Sequence, residues 1–214
     1  VETDELIHSL SGNLAPVAPG AVARRIATGL GLGALASTAV MLGWLGLRAD
    51  LAQALETPMF WMKFGYAALT GVFLAGVLTR LARPAVRPGL LALVAGAPLL
   101  AVATMAVVRL ANAPPQLQHA LLMGHSSSLC PWRILVIGLP PLVGAVWAVR
   151  GLAPTRLLPA GLVAGGCAGA LGAAIYAFAC NETSAPFLAI WYTLGMALVA
   201  AVGATAGSRL LRWR

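Results

Sequence analysis

The sequence of 214 residues predicts an all-α polytopic membrane protein: a six-transmembrane-helix bundle preceded by a short amphipathic N-terminal cytoplasmic helix. Three observations carry that prediction. Hydrophobic residues make up 60% of the chain and charged residues 9%, with a mean hydropathy of +0.88, whereas soluble domains carry roughly 25% charged residues. The apolar residues come in several runs of about 20, the length a helix needs to cross a hydrocarbon core. The arginines cluster between those runs, as they do at membrane flanks, so the net charge of +8 reads as topology rather than as a nucleic-acid surface.

Residues 1–20 form a cytoplasmic segment and linker. Thr3 is placed to cap a helix, with Asp4 and Glu5 in its first turn, where negative charge suits the helix dipole. Leu6, Ile7, Leu10 and Leu14 then fall on one face, and Pro16 and Pro19 end the helix. A helix this short is marginal alone in water. Its apolar face is therefore expected to dock, either on the membrane surface or in the groove of a cytoplasmic partner. The acidic opening VETDELIHSL is not the basic region of a cleavable signal peptide.

Residues 21–210 form the transmembrane domain and 211–214 a cytoplasmic tail. The predicted spans run from Ala21 to Leu47, Phe60 to Leu81, Gly89 to Arg109, Pro131 to Val149, Leu157 to Phe178 and Pro186 to Leu210. The internal prolines Pro98, Pro140, Pro141 and Pro159 do not veto these spans, because neighbouring helices re-satisfy the freed backbone groups. With the N-terminus inside, the inner side receives Arg24, Arg25, Arg80, Arg83, Arg87, Arg150, Arg156, Arg209, Arg212 and Arg214, and the outer side only Arg48, Lys63, Arg109 and Arg133. That asymmetry places both termini in the cytoplasm. The glycine-dense stretches GLGLGALAST and AGGCAGALGAA let membrane helices approach closely; no strand precedes either, so neither is a dinucleotide loop.

The acidic residues Glu2, Asp4, Glu5, Asp50, Glu56 and Glu182 all fall in the tail or in predicted outer loops. Intramembrane ionisable groups mark proton relays and ion pathways, and their absence counts against the alternative reading of a small-molecule or metal-ion transport protein. His8, His119 and His125 are peripheral, and no nucleophile has an identifiable base, so nothing supports an enzyme. A membrane redox protein would need a cofactor or quinone site besides its cysteines.

Cys130 opens the fourth span and Cys180 follows the fifth, so both face the outer side, while Cys167 sits mid-span as a buried apolar group. Three readings of the outer pair stand: a static disulfide in an oxidising compartment, a redox or thiol-reactive switch, or a soft-metal site in which His125, His119 and Glu182 supply the remaining ligands. Arg133 and the start of the fourth helix favour reactivity at Cys130.

Across nearly its whole length the chain resembles the NrsF-like negative regulators, membrane-bound anti-sigma factors of extracytoplasmic-function sigma factors. The resemblance rests on Thr3 to Ile7 (TDELI), Lys63 within FWMKFGY, Cys130 with Ile134, Pro140-Pro141, APTR at 153–156, Cys180 with Glu182 and Phe187, and WYTLG at 191–195. It implies a six-helix bundle in a bacterial inner membrane whose cytoplasmic N-terminal segment, Asp4 to Ile7 at its centre, holds a sigma factor away from RNA polymerase. It also implies that periplasmic Cys130 and Cys180 sense a stress, either oxidation or a heavy metal, with a soft or heavy metal ion at the cysteines as the one cofactor in prospect. Sensing then outweighs a static bridge, because a fixed disulfide leaves such a regulator nothing to respond with.

Overall fold

The computed structural model describes residues 3–11, 18–83, 86, 89–152 and 154–212, with the backbone alone for Leu10 and Ser11. Glu2, Leu14, Pro16, Arg87, Ala153 and Arg214, named above, lie outside the described residues. Among those described, all regular structure is helical, and six helices are long and apolar enough to cross a membrane.

The tail helix α1 spans Thr3–Ser11, with Asp4 and Glu5 in its first turn. Leu6 is 49% exposed and Ile7 57%. Helix α2, Ala21–Trp44, ends three residues before the predicted Leu47. Leu45 and Gly46 both donate their N–H to the Met41 carbonyl, and Gly46 turns the chain at φ 70°, a left-handed conformation that glycine adopts without a Cβ penalty. A short α3, Leu51–Leu55, occupies a predicted loop. Helix α4, Pro58–Leu81, starts two residues early because Thr57 caps it, its hydroxyl accepting from the Phe60 N–H, and Pro58 suits the first helical turn.

The third predicted span is broken into α5, Leu90–Val94, and α6, Ala97–Ala111. Pro98 accounts for the break: it has no N–H to donate to Val94, and its ring crowds that carbonyl. A further loop helix, α7, covers Pro115–Met123.

Helix α8, Cys130–Arg150, passes through Pro140 and Pro141 uninterrupted. Pro141 leaves the Ile137 carbonyl without its helical donor, and the Ser37 hydroxyl of α2 donates to that carbonyl instead. Gly33 lies against the same two prolines, where a Cβ would collide with their backbone. Helix α9 is Leu157–Tyr176, two residues shorter than predicted. The last span comprises α10, Ala185–Phe187, a π-helical turn, Leu188–Tyr192, and α11, Thr193–Leu210.

Helix α9 is the hub, packed by α11, α8 and α4 and touched by α2. Its span is 67% buried, against 17% for Leu90–Ala111 at the rim. Small residues allow this. A Cβ on Gly161 would stand 2.8 Å from Gly207 Cα, and one on Gly172 2.8 Å from the Gly138 nitrogen, so backbones meet where side chains would hold them apart. Two buried clusters mark opposite ends of the bundle. One holds Ile26, Leu78, Val149 and Leu211, at the helix ends that carry most of the arginines; the other holds Met41, Tyr66, Cys130, Tyr176, Cys180 and Tyr192.

Candidate functional site

Both cysteines of interest lie in the second cluster, as free thiols, Cys130 fully buried and Cys180 3% exposed. Cys130 is the first residue of α8. Cys180 is reached through a last turn beyond α9, its N–H donating to the Tyr176 carbonyl at 3.0 Å. The even number of spans between the two positions brings them to one end, and they lie within electrostatic reach of one another. Cys167 is apart, its thiol turned to the Gly71 carbonyl of α4 at 3.4 Å.

Two basic side chains converge on the segment after α9. Lys63, one turn into α4, donates to the carbonyls of Cys180 at 2.8 Å and Glu182 at 2.9 Å. Arg48, just past α2, also donates to the Cys180 carbonyl, at 3.1 Å, and its backbone N–H reaches Phe178 O. Asp50 grips the Arg48 guanidinium with both carboxylate oxygens at 2.7 Å. That hydrogen-bonded pair lowers the Asp50 pKa and raises that of Arg48. Arg133 lies within electrostatic reach of Cys130, as expected, and donates to the Tyr176 hydroxyl at 3.4 Å.

Glu182 ties the two cysteine-bearing segments together without a covalent bond. Its carboxylate accepts the backbone N–H of His125 at 2.7 Å and the hydroxyl of Ser126 at 2.9 Å. Gly124 makes this contact possible: it turns at φ 53°, and a Cβ there would lie 2.8 Å from the Glu182 carboxyl carbon. The Ser126 carbonyl in turn accepts the Cys130 N–H at 2.8 Å. One carboxylate thus fixes the approach to α8 against the exit from α9.

The proposed ligand set is not assembled as a cage. Among the described residues no group of three or more His, Cys, Asp and Glu side chains is arranged to hold a metal ion. Glu182 has turned its carboxylate to the His125 amide, and the His125 side chain is exposed. Lys63 has a structural role that its place in the charge pattern does not reveal. The charge pattern assigns it to the outer side, and the structure buries it at 1% exposure. A lysine five residues inside an apolar helix was the available signal. Tyr192, brought in by the π-helical turn, carried none.

This geometry buries two thiols near the Lys63 ammonium and links their segments to four helices. A family described as "Negative regulator of sigma F" matches residues 10–213. The chain belongs to this family, NrsF. It is 41% identical over 217 positions to the anti-sigma-F factor NrsF of Caulobacter vibrioides (strain NA1000 / CB15N) and 35% identical over 213 to the probable anti-sigma-F factor NrsF of Azospira oryzae (strain ATCC BAA-33 / DSM 13638 / PS), each covering the whole of both chains. No solved structure matches. These NrsF relatives are regulators by name, not enzymes.

Proposed function

We propose that the chain is an anti-sigma factor of the bacterial inner membrane, with both termini in the cytoplasm, that sequesters an extracytoplasmic-function sigma factor through its N-terminal segment. Its full-length similarity to two proteins named as anti-sigma-F factors carries this reading. The sigma-binding residues are Thr3, Asp4, Glu5, Leu6, Ile7, Leu10 and Leu14. Leu6 and Ile7 are about half exposed on α1, which supports a helix offered to a groove. The excess of arginine at the opposite end from Cys130 and Cys180 supports a cytoplasmic tail and a periplasmic cysteine pair.

Modification of Cys130 or Cys180 by an oxidant or a thiophilic metal ion then changes the packing around α8 and α9 and releases the sigma factor inside. Lys63, Arg48 and Glu182 support this route, because they couple the Cys180 segment to α4, to the end of α2 and to the start of α8. Coupling of this kind requires two arrangements of the bundle with different affinity for the partner. The test is transcription from a sigma-dependent promoter in cells challenged separately with a peroxide and with a thiophilic metal salt. Wild type responds to at least one challenge, and Cys130→Ser/Cys180→Ser responds to neither. A double variant that responds as wild type does removes the cysteines from the sensing step.

A further inference from the structure

Lys63 is buried, and among the described residues no carboxylate forms an ion pair with it. Among the described residues Asp50 is engaged with Arg48, and the Glu182 carboxylate faces His125 and Ser126. Two of the three ammonium N–H groups go to carbonyls, a partial compensation for a cation taken out of water. The Tyr192 ring centroid lies 6.0 Å from Nζ. The Tyr192 hydroxyl is buried and has no hydrogen-bond partner among the described residues. Ammonium and phenol both lie beside the Cys180 side chain. A thiol is a weak acceptor and a thiolate a strong one, so two underused donors converge on a sulfur that satisfies them only as an anion.

We propose that Lys63 and Tyr192 form a thiolate cradle that makes Cys180 the reacting member of the pair. The inference rests on the reading of these cysteines as a reactive site. The other charged groups facing the pair are Arg133 from α8, Glu182 from the following loop and the Arg48–Asp50 pair, and of the cations only Lys63 combines deep burial with the lack of a carboxylate partner. In the reaction the Cys180 proton leaves to water and the sulfur electron pair forms a bond to the electrophilic atom of the reagent. The bond to the leaving group breaks and that group departs with its electrons. With methyl methanethiosulfonate the products are the methyl disulfide of Cys180 and methanesulfinate. Lys63 and Tyr192 are positioning residues in this step: they hold charge on the sulfur and do not bond to the reagent.

The test uses the full chain in mild detergent with Cys167→Ala as background and methyl methanethiosulfonate as the probe, the rate at each cysteine being read by mass spectrometry at neutral pH. Lys63→Gln, which keeps a donor and loses the charge, is expected to slow Cys180 labelling by roughly tenfold. Tyr192→Phe slows it less, and Lys63→Arg restores most of the rate. A loosened fold would expose the thiol and speed labelling, so structural damage acts in the opposite direction. Labelling of Lys63→Gln at or above the wild-type rate overturns the proposal. No sigma factor enters this assay, so a release response that survives Cys130→Ser/Cys180→Ser would defeat the sensor reading and leave the labelling result standing.

Discussion

Leu6→Asp/Leu10→Asp abolishes capture of the sigma factor while leaving the bundle intact. Leu6 lies half exposed on α1, so its loss removes little packing, and Leu10 follows four residues later in the same helix. Apolar anchors buried at the centre of an interface commonly contribute about 2 kcal/mol or more each, and placing a carboxylate in an apolar groove adds a desolvation penalty. The pair together is expected to weaken binding by about 1000-fold. Titration of purified sigma factor onto the detergent-solubilised chain measures this, with the thermal unfolding midpoint as the check on the bundle. Unchanged affinity would assign the tail to the membrane surface instead.

Gly165→Leu splits the α9–α11 seam. A Cβ alone at this position would lie 2.8 Å from Ala200 Cα and 3.0 Å from Gly203 Cα, both backbone atoms that no rotamer change can move. Overpacking of a well-packed core costs about 1–3 kcal/mol, and separating the helices also forfeits dispersion contacts along the neighbouring glycines Gly161 and Gly203. About 3 kcal/mol lowers the unfolding midpoint by about 6–12 °C in a chain of this size. The Cys167 thiol on α9, buried in wild type, serves as a second reporter and becomes open to alkylation. Gly31→Leu, where nothing lies within 4 Å of the added carbon, changes neither reading.

The spans were legible because hydropathy is a local, additive signal, and because a run of apolar residues about 20 long has few other homes. Their ends were less so. The stop at Trp44 depends on the φ that Gly46 adopts, and the early start of α4 depends on a Thr57 cap; both signals stood in the sequence beside longer apolar patterns that outweighed them. Pro98 is expected to be tolerated like Pro140 and Pro141, yet it coincides with a break, whereas in α8 the Ile137 carbonyl freed by Pro141 is met by Ser37 on another helix. No single-helix pattern reveals that donor. At the site, the common end of Cys130 and Cys180 followed from counting spans. The burial of Lys63, the Glu182 bond to the His125 amide and the arrival of Tyr192 through a π-helical turn are tertiary facts, set by distant segments meeting.

Release of the sigma factor by a reagent confined to the outer side would show a signal crossing the bundle. Spheroplasts carrying the chain and its sigma factor are treated from outside with the membrane-impermeant sulfonatoethyl methanethiosulfonate, then solubilised in mild detergent, and the sigma factor retained on the purified chain is measured. Wild type is expected to lose its sigma factor in step with labelling of Cys180, and Cys130→Ser/Cys180→Ser to retain it. Full retention on a chain whose two cysteines are both labelled, or equal loss from both chains, would contradict a signal carried from the thiols through the bundle to the tail.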